Sequence, residues 1–492
     1  MSDLRVALVW PKGFDAHYVI PIALGYLKSN VDAAKYDVRI IDCSLRGIDA
    51  NSAEFRDELE AFAPHIVGVS TWSPTFKEAL EVLRVAKSSI PGVTTLAGGA
   101  HPSSYPERVM EHEEVDFIFR GEADLSFPVF LDQFCRPLPD YGSVKGLTYR
   151  DPGGGGLILN DMERKDDLDV ITMPDYDSID LDGYIASGYR WNTPAKRNAP
   201  IWVTRGCPYR CTFCAAPDLN GRPIRTHSVE YMVDWVKYLY HEKGIRWFNI
   251  IDDNFTFNWR YAMEFCRAII ALDLPGIGFG TPNGIRLQKG SPELWLLMKR
   301  AGWRSLNVAP ESGSQKVLNI MKKDLDIEIV PKVVNDIRAA GLKVQAYFII
   351  GYPGEAPVDL EETSDLIKRC RFNFVFLNNF QPLPGTPVYD DLVAKGEIED
   401  GLLPQNYSDG SRAYTPKEFE GFNFPRFILK TYLLMVLRDP FNLPYMIRIF
   451  SPGMIAVKVF RNFVGMFAGQ PEAQHFDRLA EAPMAGTSHT GT

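Results

Sequence analysis

The stretch TRGCPYRCTFC, residues 204–214, decides which fold and which chemistry this chain supports. Its three cysteines, Cys207, Cys211 and Cys214, have the spacing C-x3-C-x2-C, and Phe213 directly precedes the last of them. Thiolates are preferred ligands of iron–sulfur clusters, and three on one loop can hold three corners of a four-iron, four-sulfur cluster. The fourth iron then has no protein ligand and is open to chelation by a small molecule.

Other uses of closely spaced cysteines fit the sequence less well. Structural zinc normally takes four ligands, often as two pairs, and no second Cys/His pair follows at such a spacing. A disulfide framework is disfavoured because seven cysteines in 492 residues are sparse and no secretory signal precedes them. The spacing therefore favours an iron–sulfur cluster, with zinc and simple packing of thiols as the remaining alternatives.

Composition limits the class of protein. A chain of 492 residues is long enough for roughly two to four domains, each with its own core. The net charge of −9 argues against a general nucleic-acid binder, which would carry a basic field. The sequence contains neither an apolar run of transmembrane length nor a start typical of a signal peptide, so a cytoplasmic protein is expected.

Residues 1–135 alternate short apolar strands with amphipathic helices, which predicts a doubly wound parallel α/β domain of the flavodoxin-like kind. A helix is predicted over Thr75–Ser89 from its apolar face. Ligands of such sheets bind beyond the carboxyl ends of the strands, where glycines allow close approach of a large flat ligand. The predicted strands are Leu4–Trp10, Val38–Asp42, Ile66–Ser70, Thr94–Ala97 and Asp116–Phe119.

The rest of the chain divides into four further regions. Residues 136–199 are predicted to form a connector with a hairpin, and residues 200–395 a partial TIM-like barrel of six β/α units. Residues 396–470 are predicted to form a helical cap with helices near Arg426–Leu437 and Met454–Phe467, and residues 471–492 a disordered tail. The predicted barrel strands are Ile201–Thr204, Trp247–Asp252, Ile277–Thr281, Ser305–Ala309, Val344–Ile350 and Phe374–Asn378.

The cysteine motif, with its aromatic residue, resembles that of the radical S-adenosylmethionine (SAM) superfamily. In that family the open iron chelates SAM, and the reduced cluster cleaves it to a 5′-deoxyadenosyl radical. The resemblance extends over the predicted barrel through the segments DDNF, ESGS and the fifth strand. It implies SAM contacts from Phe213, Asp252, Asp253, Asn254, Glu311, Ser312, Gln345 and Ile349. An Asp–Asp–Asn run at a strand end could instead cap the next helix.

With this motif downstream, the N-terminal domain resembles the cobalamin-binding domain of cobalamin-dependent radical SAM enzymes. The resemblance implies cobalamin contacts from residues at three successive strand ends: Ser70, Thr71, Trp72, Gly98, Gly99, His101, Gly121 and Glu122. A Gly-Gly pair alone would indicate only a tight turn. The sequence DAH at residues 15–17 matches half of the D-x-H-x-x-G motif and lacks its glycine, so a cobalamin not ligated by His17 ("His-off") is expected.

The resemblance implies a cobalamin-dependent C-methyltransferase that uses a 4Fe-4S cluster, SAM and cobalamin. One SAM would methylate cobalamin, and a second would give the radical that abstracts a substrate hydrogen before methyl transfer. Oxidative cyclisation, hydroxylation or ring rearrangement with the same cofactors is the first alternative, and a non-catalytic cobalamin or iron–sulfur sensor is the second. The second three-cysteine cluster of methylthiotransferases is excluded, because the remaining cysteines are widely separated.

The expected partners follow from the same resemblance and from composition. We expect a small-molecule substrate, lipid-like or tetrapyrrole-like, and an external electron donor of the flavodoxin or ferredoxin type. No nucleic-acid partner is expected. The aromatic and basic C-terminal region could cap the barrel or make a peripheral membrane contact, and Arg222 and Arg225 are candidates to face an anion near the cluster loop.

Overall fold

A parallel sheet organises the N-terminal part of the protein. The computed structural model describes residues 4–14, 16, 19–190, 197–404, 413–442 and 444. The strands of this part are β1 (Leu4–Trp10), β2 (Tyr36–Asp42), β3 (Ile66–Ser70), β4 (Thr94–Gly98), β5 (Phe117–Phe119), β6 (Leu147–Arg150) and β7 (Leu157–Leu159). The helices are α1 (Ile22–Ser29), α2 (Cys43–Arg46), α3 (Ala53–Phe62), α4 (Phe76–Ser89), α5 (Ala100–Ser104), α6 (Pro106–Val109), α7 (Ser126–Phe134) and α8 (Leu181–Ser187).

The strand order is β2-β1-β3-β4-β5-β6-β7, and the first five strands are parallel. This order confirms the predicted doubly wound α/β fold, with apolar clusters on both faces of the sheet. Helix α4 buries Phe76, Ala79, Leu80 and Leu83, as its pattern predicts. The hairpin β6–β7, which sequence analysis places in a connector, continues this sheet because β6 pairs antiparallel with β5.

The second α/β part follows the connector. Its strands are β8 (Asn198–Ile201), β9 (Thr204–Arg205), β10 (Arg225–Thr226), β11 (Trp247–Ile250), β12 (Gly278–Gly280), β13 (Ser305–Glu311), β14 (Lys343–Ile350) and β15 (Phe374–Asn379). Its helices are α9 (Ala216–Asn220), α10 (Val229–His241), α11 (Trp259–Ala271), α12 (Pro292–Ala301), α13 (Gln315–Ile320), α14 (Val330–Ala339), α15 (Pro357–Cys370) and α16 (Pro387–Ala394).

Six parallel strands form the predicted partial barrel. They lie in the order β8-β11-β12 and β13-β14-β15, and two parallel bridges, Phe279 with Trp303 and Ile285 with Val308, join the two groups. The carboxyl ends of all six strands therefore lie on one side, where chemistry on such a barrel is found. The first strand is displaced from its prediction: β8 ends at Ile201, and Thr204 belongs to a short antiparallel pair with β10.

The chain divides into two compact units, residues 1–416 and 417–492. In the second unit α17 (Phe424–Arg438) confirms the helix predicted near Arg426–Leu437, and Asn423 caps its first turn, because its side chain accepts from the Arg426 N–H at 2.8 Å. The helix predicted at Met454–Phe467 and the tail after it lie outside the described residues, as does His17. Within the described ranges, no helix has the length and apolar character needed to cross a membrane.

Candidate functional site

The cysteine loop lies at the carboxyl ends of the barrel strands, between β9 and α9. Backbone hydrogen bonds fix both of its ends: Cys207 N–H donates to Gly221 O at 2.9 Å, and Thr212 N–H to Met321 O at 3.0 Å. Gly206, which precedes the first cysteine, has φ +100, and a Cβ there would lie 2.2 Å from the carbonyl oxygen of Pro223. Only glycine satisfies both conditions, so the residue before the motif is set by the turn that presents it.

The three cysteine side chains are half-buried and free of disulfides. Burial raises the pKa of Cys214 to about 12 and raises that of Cys207, and neighbouring cysteines add to both shifts, so the thiols lie close together. Among the described residues no three His, Cys, Asp or Glu side chains close on a single metal ion. Three neighbouring thiols on one loop are a donor set that fits an iron–sulfur cluster.

The segment after β11 contributes three of the predicted SAM residues, and the structure separates their roles. Asp252 is buried, and its carboxylate accepts from the N–H groups of Val203 and Thr204, both at 2.8 Å. Burial raises the pKa of Asp252 to about 8, although these hydrogen bonds act in the opposite direction. Asp252 therefore holds the backbone that leads into the cysteine loop.

Asp253 and Asn254 lie on the loop side of that segment. Asp253 accepts from Asn220 Nδ2 at 2.8 Å, and its charge raises the pKa of Cys207 and of Cys214, which places it beside the cysteines. Asn254 is buried, and neither its Oδ1 nor its Nδ2 has a partner within the described ranges. A buried amide without partners is costly, so this site fits the polar groups of a ligand such as SAM.

Three hydroxyls share this property with Asn254. Each is buried and has no hydrogen-bond partner in the part of the chain that the structure describes. They follow β8, β11 and β12, so polar atoms that need a partner occur at the carboxyl ends of three consecutive barrel strands. These residues are Thr204, Thr256 and Thr281.

At the carboxyl end of β13, the predicted SAM residues Glu311 and Ser312 form hydrogen bonds with other residues of the protein. Glu311 has a positive φ of 67, and its Oε1 accepts from Lys323 Nζ at 2.7 Å, with both side chains buried. Ser312 accepts from the Ser314 N–H at 3.1 Å and is fully buried, and a Cβ at Gly313 would lie 2.3 Å from Thr363 Cα of α15. Ser312 thus belongs to the packing of this turn on α15, while Glu311 lies in a buried ion pair.

The fifth barrel strand, β14, carries two further predicted SAM residues, Gln345 and Ile349. Gln345 is buried and lies opposite Asn307 in the register of β13 and β14. Ile349 is on the same face of β14, because it lies an even number of residues further along. Ile349 and Phe213 both pack against one apolar cluster, so the loop aromatic and the carboxyl half of β14 border the same part of the core.

Six of the eight predicted cobalamin residues lie at the carboxyl ends of β3 and β4, and Gly121 and Glu122 follow β5. Thr71 is buried, its N–H donates to Gly98 O at 2.9 Å, and a Cβ at Gly99 would lie 2.6 Å from Thr71 O. Gly99, with φ +99, is therefore required by the contact between two loops. Next to it, Ser70 ends β3 and is buried.

Gly98 and Trp72 differ from these residues, because no atom packs closely over Gly98 and Trp72 is partly exposed to solvent. A Cβ at Gly98 would meet no atom closer than 3.9 Å, and Trp72 is 38% exposed, with its ring edge against Phe14. An open glycine beside an exposed indole fits the approach of a large flat group such as a corrin. His101 points to protein instead: Nδ1 bonds Ser73 Oγ at 3.0 Å, and burial lowers its pKa to about 4, so it is neutral.

Glu122 lies at the end of β5 and takes part in a buried ion network with the barrel. Its carboxylate pairs with Arg225 and lies 3.4 Å from Arg205, which also binds Asp124 through two hydrogen bonds of 2.7 and 3.1 Å. All four side chains are less than 10% exposed. We call Glu122, Asp124, Arg205 and Arg225 the inter-domain ion network.

Several of these residues carry no sequence signal. Lys323 and Asp124 belong to no motif, and their partners, Glu311 and Arg205, lie 12 and 81 residues away. Arg286 lies after β12, and its Nη2 is 2.9 Å from Cys211 Sγ. The sequence around it shows only a basic residue between the apolar residues Ile285 and Leu287, after the third barrel strand. Arg225, which sequence analysis proposes as facing an anion, faces Glu122, whereas Arg222 donates to the carbonyl of Tyr209 at 2.9 Å.

Comparisons with known proteins agree with this arrangement. The family described as Radical SAM superfamily matches residues 201–367, and the B12 binding domain matches residues 15–131. An uncharacterized methyltransferase of Pyrococcus horikoshii is 27% identical over 428 residues, covering 85% of this chain and 88% of that protein. The anaerobic magnesium-protoporphyrin IX monomethyl ester cyclase of Rubrivivax gelatinosus is 27% identical over 400 residues, covering 80% and 69%.

Among solved structures, the radical SAM methyltransferase TsrM of Kitasatospora setae, with cobalamin and a [4Fe-4S] cluster bound, superposes with a TM-score of 0.70. The two sequences are 16% identical, and the match covers 88% of this chain and 91% of that one. This likeness shows a shared fold.

The two family matches coincide with the two α/β parts of the structure. The cofactors are a 4Fe-4S cluster, SAM and cobalamin, for which the cysteine loop, the unpartnered polar atoms and the open surface at Gly98 are suited. The chain therefore carries a B12-binding domain followed by a radical SAM domain, which is the domain combination of the cobalamin-dependent radical SAM enzymes.

Proposed function

We propose that this enzyme is a C-methyltransferase that transfers a methyl group to an unactivated carbon of a small-molecule substrate. The observation that carries the proposal is the direct contact between the loops assigned to the two cofactors. A Cβ at Gly121, after β5, would lie 3.3 Å from Leu219 O in α9, which directly follows the cysteine loop. A methyl donor and a radical source must both reach one substrate carbon, and this contact brings their loops together.

A second contact joins the same two edges. The turn after β15 approaches the N-terminal domain so closely that a Cβ at Gly385 would lie 2.3 Å from Ser104 O, at the end of α5. Helix α5 follows β4, whose last residue is Gly98. The carboxyl edge of the N-terminal sheet therefore contacts the barrel at two places, beside α9 and beside the turn after the last strand.

We assign the roles of the chain's own residues accordingly. Cys207, Cys211 and Cys214 hold the cluster, Asn254 binds the polar part of SAM, and Asp253 orients the cysteine loop through Asn220. Among the remaining predicted SAM contacts, Glu311 could bind SAM only by breaking its hydrogen bond with Lys323, or by keeping that bond and binding SAM with its other oxygen. Phe213 and Ile349 provide an apolar wall.

On the cobalamin side, Gly98 and Trp72 form the surface that receives the corrin, while Thr71, Gly99 and His101 hold the loops beneath it. When bound, the cluster and SAM supply a 5′-deoxyadenosyl radical, and cobalamin supplies the methyl group. The protein positions these groups and keeps water from them.

We propose that the substrate is a flat, tetrapyrrole-like small molecule. The cyclase of Rubrivivax gelatinosus acts on a magnesium porphyrin by its name, and it aligns with 80% of this chain, which supports a flat tetrapyrrole-like substrate. A lipid-like substrate is the alternative, and an external flavodoxin-type or ferredoxin-type donor would supply electrons. The same cyclase also supports oxidative cyclisation as the second candidate function.

Anaerobic reconstitution with iron, sulfide and cobalamin tests the proposal. We expect stoichiometric cobalamin, an electron paramagnetic resonance signal from the reduced cluster, and SAM turnover to 5′-deoxyadenosine. With candidate porphyrins as substrate, methyl transfer also yields S-adenosylhomocysteine, whereas cyclisation does not. SAM cleavage by a protein that binds no cobalamin, or 5′-deoxyadenosine from a variant with all three loop cysteines changed to alanine, would contradict the assignment.

A further inference from the structure

Arg286 is a buried cation directed at a cluster ligand. Its side chain is buried, Nη2 lies 2.9 Å from Cys211 Sγ, and Nη1 donates to the carbonyl oxygen of Lys323. Its guanidinium carbon lies 3.3 Å from the ring centroid of Tyr209, on the same loop as the cysteines. The cation therefore contacts the cysteine loop at two residues.

The backbone around Arg286 is fixed by the barrel. The preceding residue, Ile285, donates to Asn307 O at 2.8 Å and accepts from the Ala309 N–H at 3.4 Å, which ties it to β13. A guanidinium with a stacked face, a carbonyl acceptor and an anchored backbone has little rotational freedom left. Its direction toward Cys211 is thus a property of the fold.

Arg286 has no carboxylate partner among the residues that the structure describes. The carboxylate of Glu311 is paired with the Lys323 side chain at 2.7 Å. A buried cation without an anion is strongly unfavourable. The group that can balance it is the thiolate of Cys211 together with the anionic cluster that the three cysteines hold.

We propose that Arg286 sets the reduction potential of the cluster through a charge-assisted hydrogen bond to the Cys211 sulfur. This inference rests on the proposed cluster assignment. Reduction adds one electron, taken from a low-potential flavodoxin-type or ferredoxin-type protein or from dithionite, and forms or breaks no bond. The added negative charge is stabilised by the nearby guanidinium, so Arg286 raises the potential and favours the reduced cluster. Arg286 is a positioning residue, because it acts through Cys211.

Potentiometric titration of the reconstituted full-length protein, followed by electron paramagnetic resonance of the reduced cluster, measures this directly. We expect Arg286→Met to lower the equilibrium constant for reduction roughly tenfold, equal to ~59 mV for one electron. The matched control is Lys289→Met, which removes the same charge three residues further along from a side chain that lies over Phe257. This control should retain the wild-type potential.

The outcomes separate the inference from the function on which it rests. A wild-type protein that takes up no cluster overturns the cluster assignment itself. A fully loaded Arg286→Met variant at the wild-type potential, or an equal shift in Lys289→Met, overturns only the role of Arg286. Should the Met variant fail to load, Arg286→Gln keeps an N–H donor without the charge. A lowered potential is expected there too, and an unchanged one overturns the proposal.

Discussion

Replacing Asp124 by asparagine should destabilise the protein far more than the loss of an ordinary ion pair. Asp124→Asn keeps the shape of the side chain and removes the charge that binds Arg205 through hydrogen bonds of 2.7 and 3.1 Å. Arg205 is 2% exposed, so water cannot replace the lost carboxylate. Removing one partner of a buried pair costs about 3–5 kcal/mol, in a protein whose total stability is of the order of 5–15 kcal/mol.

The expected value lies near the lower end of that range. Glu122 remains 3.4 Å from Arg205 and offers partial compensation, although it also serves Arg225. We therefore expect a loss of roughly 3 kcal/mol. The matched control is Asp49→Asn, which removes an exposed pair with Lys12 (69% and 46% exposed side chains) and should cost less than about 1 kcal/mol.

Urea unfolding of both variants and the wild type, in the same cofactor state and with tryptophan fluorescence and circular dichroism as probes, measures the difference. If Asp124→Asn unfolds at the same urea concentration as Asp49→Asn, the inter-domain ion network does not hold Arg205 as described, and the argument fails.

Three further predictions follow from the site and the C-terminal helix. Burial raises the pKa of Asp252 from 3.8 to about 8, so the folded protein keeps a proton that the unfolded chain releases. Between about pH 5 and about pH 8 the free energy of unfolding of the wild type, measured with urea, should therefore fall by roughly 1.4 kcal/mol per pH unit relative to that of Asp252→Asn. The same pH dependence in both proteins would contradict this. Gly98→Val, whose Cβ would meet no atom closer than 3.9 Å, should weaken cobalamin binding without lowering stability, whereas Gly99→Ala should lower stability through its clash. Equal cobalamin retention by Gly98→Val and wild type would argue against the assigned surface. As a test of the membrane contact that sequence analysis gives as one alternative for the C-terminal region, Leu433→Gln with Leu437→Gln, which are 55% and 69% exposed, should reduce sedimentation with anionic vesicles roughly tenfold, and unchanged sedimentation would remove the helix as a membrane contact.

Most of the fold follows from the sequence, because buried parallel strands are short apolar runs with a recognisable length. The strands Leu4–Trp10 and Ile66–Ser70 have the predicted bounds. The first barrel strand does not, although Trp202 and Val203 continue the apolar run. Their region leaves the sheet because the N–H groups of Val203 and Thr204 donate to the carboxylate of Asp252 instead of to a neighbouring strand. A side chain far along the chain thus ends the strand.

Part of the site can likewise be predicted from the sequence, and part of it cannot. The three cysteines share one loop, and Asp253 and Asn254 share another. Motif spacing therefore predicts which of these residues are neighbours. Glu122 was predicted as a cobalamin contact, yet its carboxylate is paired with Arg225, more than 100 residues away. No local pattern records such a pairing, because only the folded chain brings these charges together. Arg286 was missed for the same reason.

The inter-domain ion network also limits how the two domains can be exchanged. A chimera that replaced residues 15–131 with the domain of another family member would bring a foreign loop to Arg205 and Arg225. Unless that loop carried acids at the positions of Glu122 and Asp124, two buried guanidinium groups would lose their counter-charges. A successful domain exchange therefore has to match all four residues, two of which, Arg205 and Arg225, lie in the barrel part of the chain.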